Sequence, residues 1–408
     1  MKNIKLDTIL LFSLLVPFIM AYRISPGDTP FWLFGLIFLG LILYALFDIM
    51  QIGKEKYFRL KEILLWLLII FSIGGAFYSA IAVRHMTSPL YMIHDIILQL
   101  ESAIRFLLHG INPYSASYFG TPLEQWHFSD TQLNPALFHF VMEPFYLLFS
   151  APFYLLSTRT IGFFDGRIPL FFLFFSLLVG IKFLIKDKEK RLLCIIFLAF
   201  NPAQLGYTLE GRSDIFVFTF LFFGLYFLHK KKYSLSSIVT ALAFVVKQSV
   251  WPLFPLYFAY LYFREKSFKK IIKPLILFIF TFTIVTLPFF LWNQKAFIDS
   301  TISYLSGNVE HSYPISGYGF GMILLQLGMI KDVNAYYPFV FFQLLFSLPV
   351  FILLIKYLRK TTTISRLILF YGILLFVFWY FSRYFNNSHI GYLSMIFILA
   401  HFWPEEKE

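Results

Sequence analysis

The sequence predicts an all-α protein, a bundle of about 12 to 13 membrane-spanning helices of which some are short or broken. Of its 408 residues, 59% are hydrophobic and only 14% are charged, whereas a soluble domain carries roughly 25% charged residues. Apolar runs close to the roughly 20 residues that cross a bilayer recur along the chain. We therefore expect a single transmembrane domain over residues 1–408.

Basic residues predict the orientation of the bundle, because cytoplasmic segment ends attract Lys and Arg. Most of the 34 Lys and Arg lie in Lys2/Lys5, 54–61, 186–191, 230–232, 264–273, 356–366 and Lys407. Placing these inside predicts a multi-pass cell-membrane protein with cytoplasmic N- and C-termini. The net charge of +12 comes from segment ends and not from one soluble face, so no nucleic-acid partner is expected.

The apolar segments divide the chain into an N-terminal hairpin at 1–61, an outer loop at 84–133 and a helical core at 134–408. They are 7–22, 31–50, 62–83, 134–157, 167–186, 192–209, 214–229, 235–262, 271–292, 336–357, 364–382 and 388–403. Further outer loops are predicted at 205–213 and 293–318.

Two apolar segments are predicted to depart from a single crossing helix. Segment 134–157 contains three prolines, Pro135, Pro144 and Pro152, and must return to the side from which it came, so we expect a short hairpin or re-entrant pair. Segment 235–262 is expected to break within 247–252. Irregular backbone at membrane depth is tolerated where it lines a cavity, so both segments are expected to border a site.

The outer loop contains the main candidate for a catalytic residue. Its first part is helical by pattern, with Gly110 as the C-cap. Asp95 has no basic residue three or four positions further on, which favours a functional carboxylate that deprotonates an acceptor hydroxyl. Glu101 has Arg105 four positions later, so a surface ion pair is the simpler explanation for it.

Several short motifs follow one another after Asp95. They are Gly110-Ile111-Asn112-Pro113-Tyr114, Asn201-Pro202, Glu210-Gly211-Arg212-Ser213-Asp214, and Lys247 with Pro252 and Pro255. Their order resembles the GT-C class of integral-membrane glycosyltransferases, particularly mannosyltransferase-like members that use polyprenyl-phosphate sugars. The resemblance covers about residues 62–262, and the spans in 7–50 precede it as an added hairpin.

The resemblance implies an outer-face enzyme that transfers a monosaccharide, a mannose-like hexose or a pentose, from a polyprenyl-phosphate donor to a lipid, glycan or protein acceptor. It implies that Asp95 is the catalytic base, and Glu101 is the nearby candidate for the second acid that many relatives carry. The family often has Pro-Pro where this chain has Asn134-Pro135. It often has Gln where this chain has Arg212, which could bind phosphate or pair with Glu210 or Asp214.

A phosphate leaving group requires positive charge to stabilise it. Lys247, at the predicted break, is the first candidate, although a lone Lys could instead extend to the membrane interface. Arg212 and Arg383 are further candidates for binding the donor phosphate, and positive flanking of a span explains Arg383 equally well. Asp214 begins a span and could bind substrate or serve as a helix N-cap.

Three more residues complete the predicted substrate-binding set. His94 could bind sugar or tune Asp95, and Asn112 and Tyr114 belong to the motif that follows; Tyr114 could stack on a sugar or form part of an interfacial aromatic belt. The sequence contains no His-x-x-x-His and no Cys-His spacing. No cofactor is therefore expected, and a divalent metal is possible but not supported by the residues.

Two other functions remain open. A lipid-linked oligosaccharide transporter, or flippase, tends to show inverted repeats and polar residues near the midplane of several spans, whereas polar groups here gather at one side. A polymerase or ligase of surface glycans would be expected to have a larger outer loop and clustered arginines.

Overall fold

The computed structural model describes residues 4–21, 30–50, 52–127 and 133–406, and its regular structure is almost entirely helical. The helices of the first half are α1 (Leu6–Ala21), α2 (Phe31–Ile49), α3 (Lys54–Ile69), α4 (Gly75–Thr87), α5 (Asp95–Leu108), α6 (Pro144–Thr160), α7 (Arg167–Leu184), α8 (Lys188–Ala199) and α9 (Leu205–Glu210). Those of the second half are α10 (Asp214–His229), α11 (Tyr233–Phe244), α12 (Leu253–Glu265), α13 (Phe268–Trp292), α14 (Gln294–Ile298), α15 (Tyr304–Ser306), α16 (Phe320–Gln326), α17 (Phe339–Lys360), α18 (Ile364–Tyr380) and α19 (Asn387–Phe402). The predicted all-α class is confirmed.

Short irregular pieces join some of these helices. The π-helical turn Ile70–Gly74 links α3 to α4, and a second, Asp299–Ser303, links α14 to α15. Single 3-10 turns lie at Pro122–Gln125, Pro135–Leu137 and Gln248–Val250. Two short strands, β1 (Ser316–Gly317) and β2 (Tyr384–Phe385), pair in parallel and tie the 313–339 region to the α18–α19 connection.

Five helical stretches among the described residues are long and apolar enough to cross a membrane. They are Phe31–Ile49, Lys54–Thr87, Arg167–Leu184, Phe268–Trp292 and Phe339–Lys360. α13 and α17 leave most of their apolar side chains exposed, as helices that face lipid do, because lipid tails are as apolar as Leu. The larger predicted number of spans and their orientation stay predictions, and Lys2 and Lys407 lie outside the described residues.

A buried charged cluster holds the N-terminal helices together. Lys61 of α3 is fully buried, and its Nζ lies 2.9 Å from Asp7 of α1 and 2.6 Å from Asp48 of α2. Tyr44 donates to Asp7 at 2.7 Å and Tyr57 donates to Asp48 at 2.6 Å. The added hairpin is thus joined to α3 by two ion pairs that are almost completely buried.

α5 is held across the bundle by a second buried cluster. Arg84 of α4 donates to both oxygens of Glu101 at 2.8 and 2.9 Å and to Asp165 at 2.9 Å. The predicted pair of Glu101 with Arg105 is therefore wrong, and Arg105 donates instead to Ser102 at 3.1 Å. The reason is that the Glu101 side of α5 faces inward, whereas Arg105 is exposed.

The predicted hairpin in 134–157 is also wrong, because a single helix, α6, continues through Pro152. Pro144 stands at the first position of α6 and Pro135 begins a 3-10 turn, positions where a missing N–H breaks no hydrogen bond. Asn134 before α6 and Gly166 after it both bond to α5, to Asp95 and Glu101 respectively. Both flanks of α6 therefore contact α5.

The break in 235–262 is confirmed. α11 ends at Phe244 and α12 begins at Leu253, and the carbonyls freed there need other partners. The start of α6 supplies them, since Glu143 N–H donates to Val246 O at 3.2 Å and Phe145 N–H donates to Val245 O at 2.9 Å. The two irregular regions therefore support each other.

Candidate functional site

A cavity of about 1070 Å³ brings together residues that are distant in sequence. Its polar lining includes His94, Asp95, Gln99, Arg212, Asp214, Lys247, Gln248, Arg383 and His389. Its apolar lining includes Val340, Leu344, Leu348 and Phe351 of α17 and Leu374, Leu375 and Phe378 of α18. A cavity of this size with a few polar groups on an apolar wall can bind an amphiphilic molecule.

Asp95 is the first residue of α5, and its side chain is 16% exposed in the cavity lining. Asn134 Nδ2 donates to its Oδ2 at 3.0 Å. Burial raises the pKa of Asp95, but the charge and hydrogen bond of His94, with the bond from Asn134, outweigh burial and hold this pKa below its ordinary value. Asp95 is thus an ionised carboxylate with access to the cavity.

The His94 ring fixes the orientation of Asp95. His94 Nδ1 lies 2.6 Å from Asp95 Oδ1 and 3.3 Å from the backbone nitrogen of Ile96. A lone pair on Nδ1 would repel a carboxylate at 2.6 Å, so we assign the hydrogen to Nδ1 and have it donate to Asp95. The Ile96 N–H then also serves the carboxylate at the start of the helix.

Lys247 and Asp214 form an ion pair in the cavity lining. Lys247 Nζ donates to Asp214 Oδ1 at 2.8 Å, and the two side chains are 26% and 6% exposed. Ser213 is the N-cap of α10, so Asp214 is not the cap that the simpler explanation required. An ammonium carries three hydrogens, and this contact leaves Lys247 two donors for an anionic ligand.

Arg212 also lines the cavity, but its guanidinium is only loosely paired. Its Nε lies 3.8 Å from Glu210, and its central carbon lies 4.4 Å from the centre of the Tyr207 ring. This contact with Glu210 is one of the two acid pairings that the sequence left open. Stacking on Tyr207 holds the charge near the cavity without using its hydrogen-bond donors.

Arg383 lines the cavity but is occupied by backbone. It is 2% exposed, and its guanidinium donates to the carbonyls of Tyr313, Val333 and Ala335. These bonds tie the 313–339 region to β2. The structure therefore favours a structural role for Arg383 over the predicted contact with phosphate.

Three predicted substrate-binding residues lie outside the cavity lining. Glu101 is used by Arg84 and by the Gly166 N–H. Asn112 Oδ1 accepts from the Tyr114 N–H at 3.0 Å, and the Tyr114 hydroxyl donates to Met142 O at 2.8 Å in the core. The motif at 110–114 thus shapes the loop and does not face the cavity.

Arg167 connects the start of α5 to the loop before Asp214, a role that no motif in the sequence indicated. It is fully buried, pairs with Asp165 at 2.8 Å, and donates to Met92 O at 3.2 Å and Leu209 O at 3.4 Å. Gly211 adopts a φ of +99° with its α-carbon against Ile97 and Arg167. These contacts fix α5, which carries Asp95, against the loop that leads to Asp214.

No protein-family model and no curated protein matches this chain. The resemblance to GT-C enzymes therefore rests on the motifs alone. Among the residues that the structure describes, no group of three or more His, Cys, Asp or Glu side chains is placed to hold a metal ion.

Proposed function

We propose that the protein is a membrane glycosyltransferase that moves a monosaccharide from a polyprenyl-phosphate donor to an acceptor hydroxyl. The observation that carries the proposal is that an ionised carboxylate, Asp95, and an ammonium, Lys247, line one cavity with an extensive apolar wall. The polar lining suits the sugar phosphate, and the apolar residues of α17 and α18 suit the polyprenyl chain.

Each group has one chemical task in this reaction. The acceptor oxygen forms a bond to the anomeric carbon while its proton passes to Asp95. The bond from the anomeric carbon to the phosphate oxygen breaks, and polyprenyl phosphate leaves with the electron pair. Lys247 stabilises the negative charge that develops on this leaving group, with Arg212 as a second cation. One displacement of this kind inverts the anomeric centre.

The same proposal includes the location of the reaction. With the basic clusters inside, α5 and the cavity face the extracytoplasmic side of the cell membrane. A lipid, glycan or protein acceptor would reach Asp95 from that side, and the donor would enter from the surrounding lipid.

The test is transfer in vitro by the purified full-length protein. Synthetic polyprenyl-phosphate mannose, glucose and arabinose are supplied in detergent or liposomes with membrane-lipid and glycan acceptors, and the product is detected by mass spectrometry. We expect transfer from one donor by the wild type and none by Asp95→Asn. Asp299→Asn is the matched control, because Asp299 is an acidic residue of the predicted outer loop 293–318 and does not line the cavity.

One result would overturn the proposal. If the wild type translocates an intact lipid-linked glycan across liposomes and transfers sugar from none of the three donors, the protein is a transporter. Equal transfer by the wild type and Asp95→Asn would leave an enzyme but remove Asp95 as its base.

A further inference from the structure

The side-chain amide of Gln248 is held in one orientation at the break between α11 and α12. Its Nε2 donates to Thr301 O at 2.8 Å and to Glu143 Oε1 at 3.1 Å, with Val141 O at 3.4 Å. These acceptors belong to two stretches of chain that are distant in sequence, 141–143 and the turn at Thr301. An amide nitrogen has two hydrogens, so the nitrogen of Gln248 is fully used by the protein.

The opposite orientation of this amide is unfavourable. Rotating it by 180° would place Oε1 against the carbonyl oxygens of Thr301 and Val141, which have no hydrogen to donate. Protonation of Glu143 would supply at most one donor to the rotated oxygen. The two backbone carbonyls therefore disfavour the rotated amide in either protonation state of Glu143. Glu143 Oε1, at 3.1 Å, is a nearer acceptor than Val141 O at 3.4 Å, so it holds the second hydrogen of the amide in place.

The fixed amide leaves Oε1 as an acceptor. The hydrogen bonds of Gln248 to the described residues are all made through Nε2 and none through Oε1, and Gln248 lines the cavity next to Lys247. An acceptor that the protein has oriented but not paired recognises a hydrogen-bond donor on a ligand. A carbohydrate offers hydroxyl groups for this purpose, and the sugar is attached directly to the phosphate that Lys247 would bind.

We propose that Gln248 is a specificity-determining residue whose Oε1 accepts a hydrogen bond from one hydroxyl of the transferred sugar, while Glu143 positions its amide. The inference rests on the proposed glycosyl transfer and deepens it. Burial raises the pKa of Glu143 to about 8. The carboxyl is therefore largely neutral at pH 7 and orients the amide without a competing charge beside the substrate.

The first experiment needs no variant. The donor that the wild type uses is prepared as a series of monodeoxy sugars, each lacking one hydroxyl, and kcat/KM is measured for each. We expect one position at which removal of the hydroxyl lowers kcat/KM by about 10- to 100-fold, because a site oriented for a hydroxyl rejects the analogue that lacks it. Equal use of all monodeoxy donors overturns the inference.

The second experiment assigns that hydroxyl to Gln248. Gln248→Leu should lower kcat/KM for the complete sugar by about the same factor and should no longer discriminate against the critical deoxy donor. Gln343→Leu is the matched control, since Gln343 lines the same cavity but donates to Phe378 O in the apolar wall; it should keep the discrimination. Persistent discrimination by Gln248→Leu overturns the inference.

Two variants of Glu143 test its positioning role without changing Gln248. Glu143→Gln retains an oxygen that accepts from Nε2 and should retain the discrimination. Glu143→Leu leaves the second amide hydrogen only the more distant Val141 O, so the amide is held less firmly and the discrimination should fall at least several-fold. Equal discrimination by both variants contradicts the positioning role. Transfer from no donor at all would refute the proposed function itself, which separates that failure from the failure of this inference.

Discussion

Replacing Lys247 with Met tests whether the ion pair with Asp214 serves the ligand or only the fold. The substitution leaves Asp214, whose side chain is 6% exposed, as an uncompensated buried charge. Breaking a fully buried pair costs about 3–5 kcal/mol. Lys247 is 26% exposed, so solvent reduces this, and we expect a loss of about 2–3 kcal/mol. Thermal unfolding of the purified protein in detergent measures it.

The double variant Lys247→Met with Asp214→Asn separates stability from function. It contains no unpaired charge, so its unfolding free energy should return to within about 1 kcal/mol of the wild type. Sugar transfer should remain about 100- to 1000-fold slower, because the leaving phosphate lacks its cation. Recovery of transfer together with stability would show that Lys247 only neutralises Asp214 and would refute the reasoning.

Three further predictions concern Asp95, Gly211 and Glu143. The lowered pKa of Asp95 keeps its carboxylate ionised as the pH falls, so the acid-side loss of transfer caused by this group should lie below its ordinary pKa of 3.8; a pH–rate profile measures this. Gly211→Ala should destabilise the protein by about 3 kcal/mol and slow transfer, because its φ is positive and its added methyl meets Ile97. The control Gly110→Ala has a similar φ but open space, and should cost about 1 kcal/mol without affecting transfer. Glu143 binds its proton more tightly in the folded protein, so stability should fall as the pH rises from about 4.5 to about 8, and Glu143→Gln should remove this dependence.

The sequence predicted best those features that local chemistry decides. The helix beginning at Asp95 follows from apolar periodicity and ends before Gly110, whose φ of +73° suits glycine. The break near Lys247 follows from a polar stretch before Pro252 within an apolar segment. Because both features are encoded within a few residues, the helix and the break could each be anticipated from the chain, whereas their meeting at one cavity is a finding of the structure.

Features that depend on contacts between helices could not be predicted in this way. Glu101 pairs with Arg84, 17 residues earlier, and no spacing rule favours that partner over Arg105 on the same helix. The three prolines in 134–157 suggested a broken segment, whereas Pro144 is the first residue of a continuous helix. The buried position of Arg383 depends on carbonyls about 50 or more residues away in sequence.

The charged cluster around Lys61 has a consequence for how the protein is made. Lys61 is synthesised after both of its partners, Asp7 and Asp48. The carboxylates of α1 and α2 therefore lack this counterion until α3 has been made. A truncated chain that starts after α2 would lack both carboxylates that neutralise the Lys61 ammonium and the helices that pack around it, so we expect it to be less stable than the whole chain. We therefore expect that α1 and α2 are needed for efficient folding and insertion of the helices that follow them.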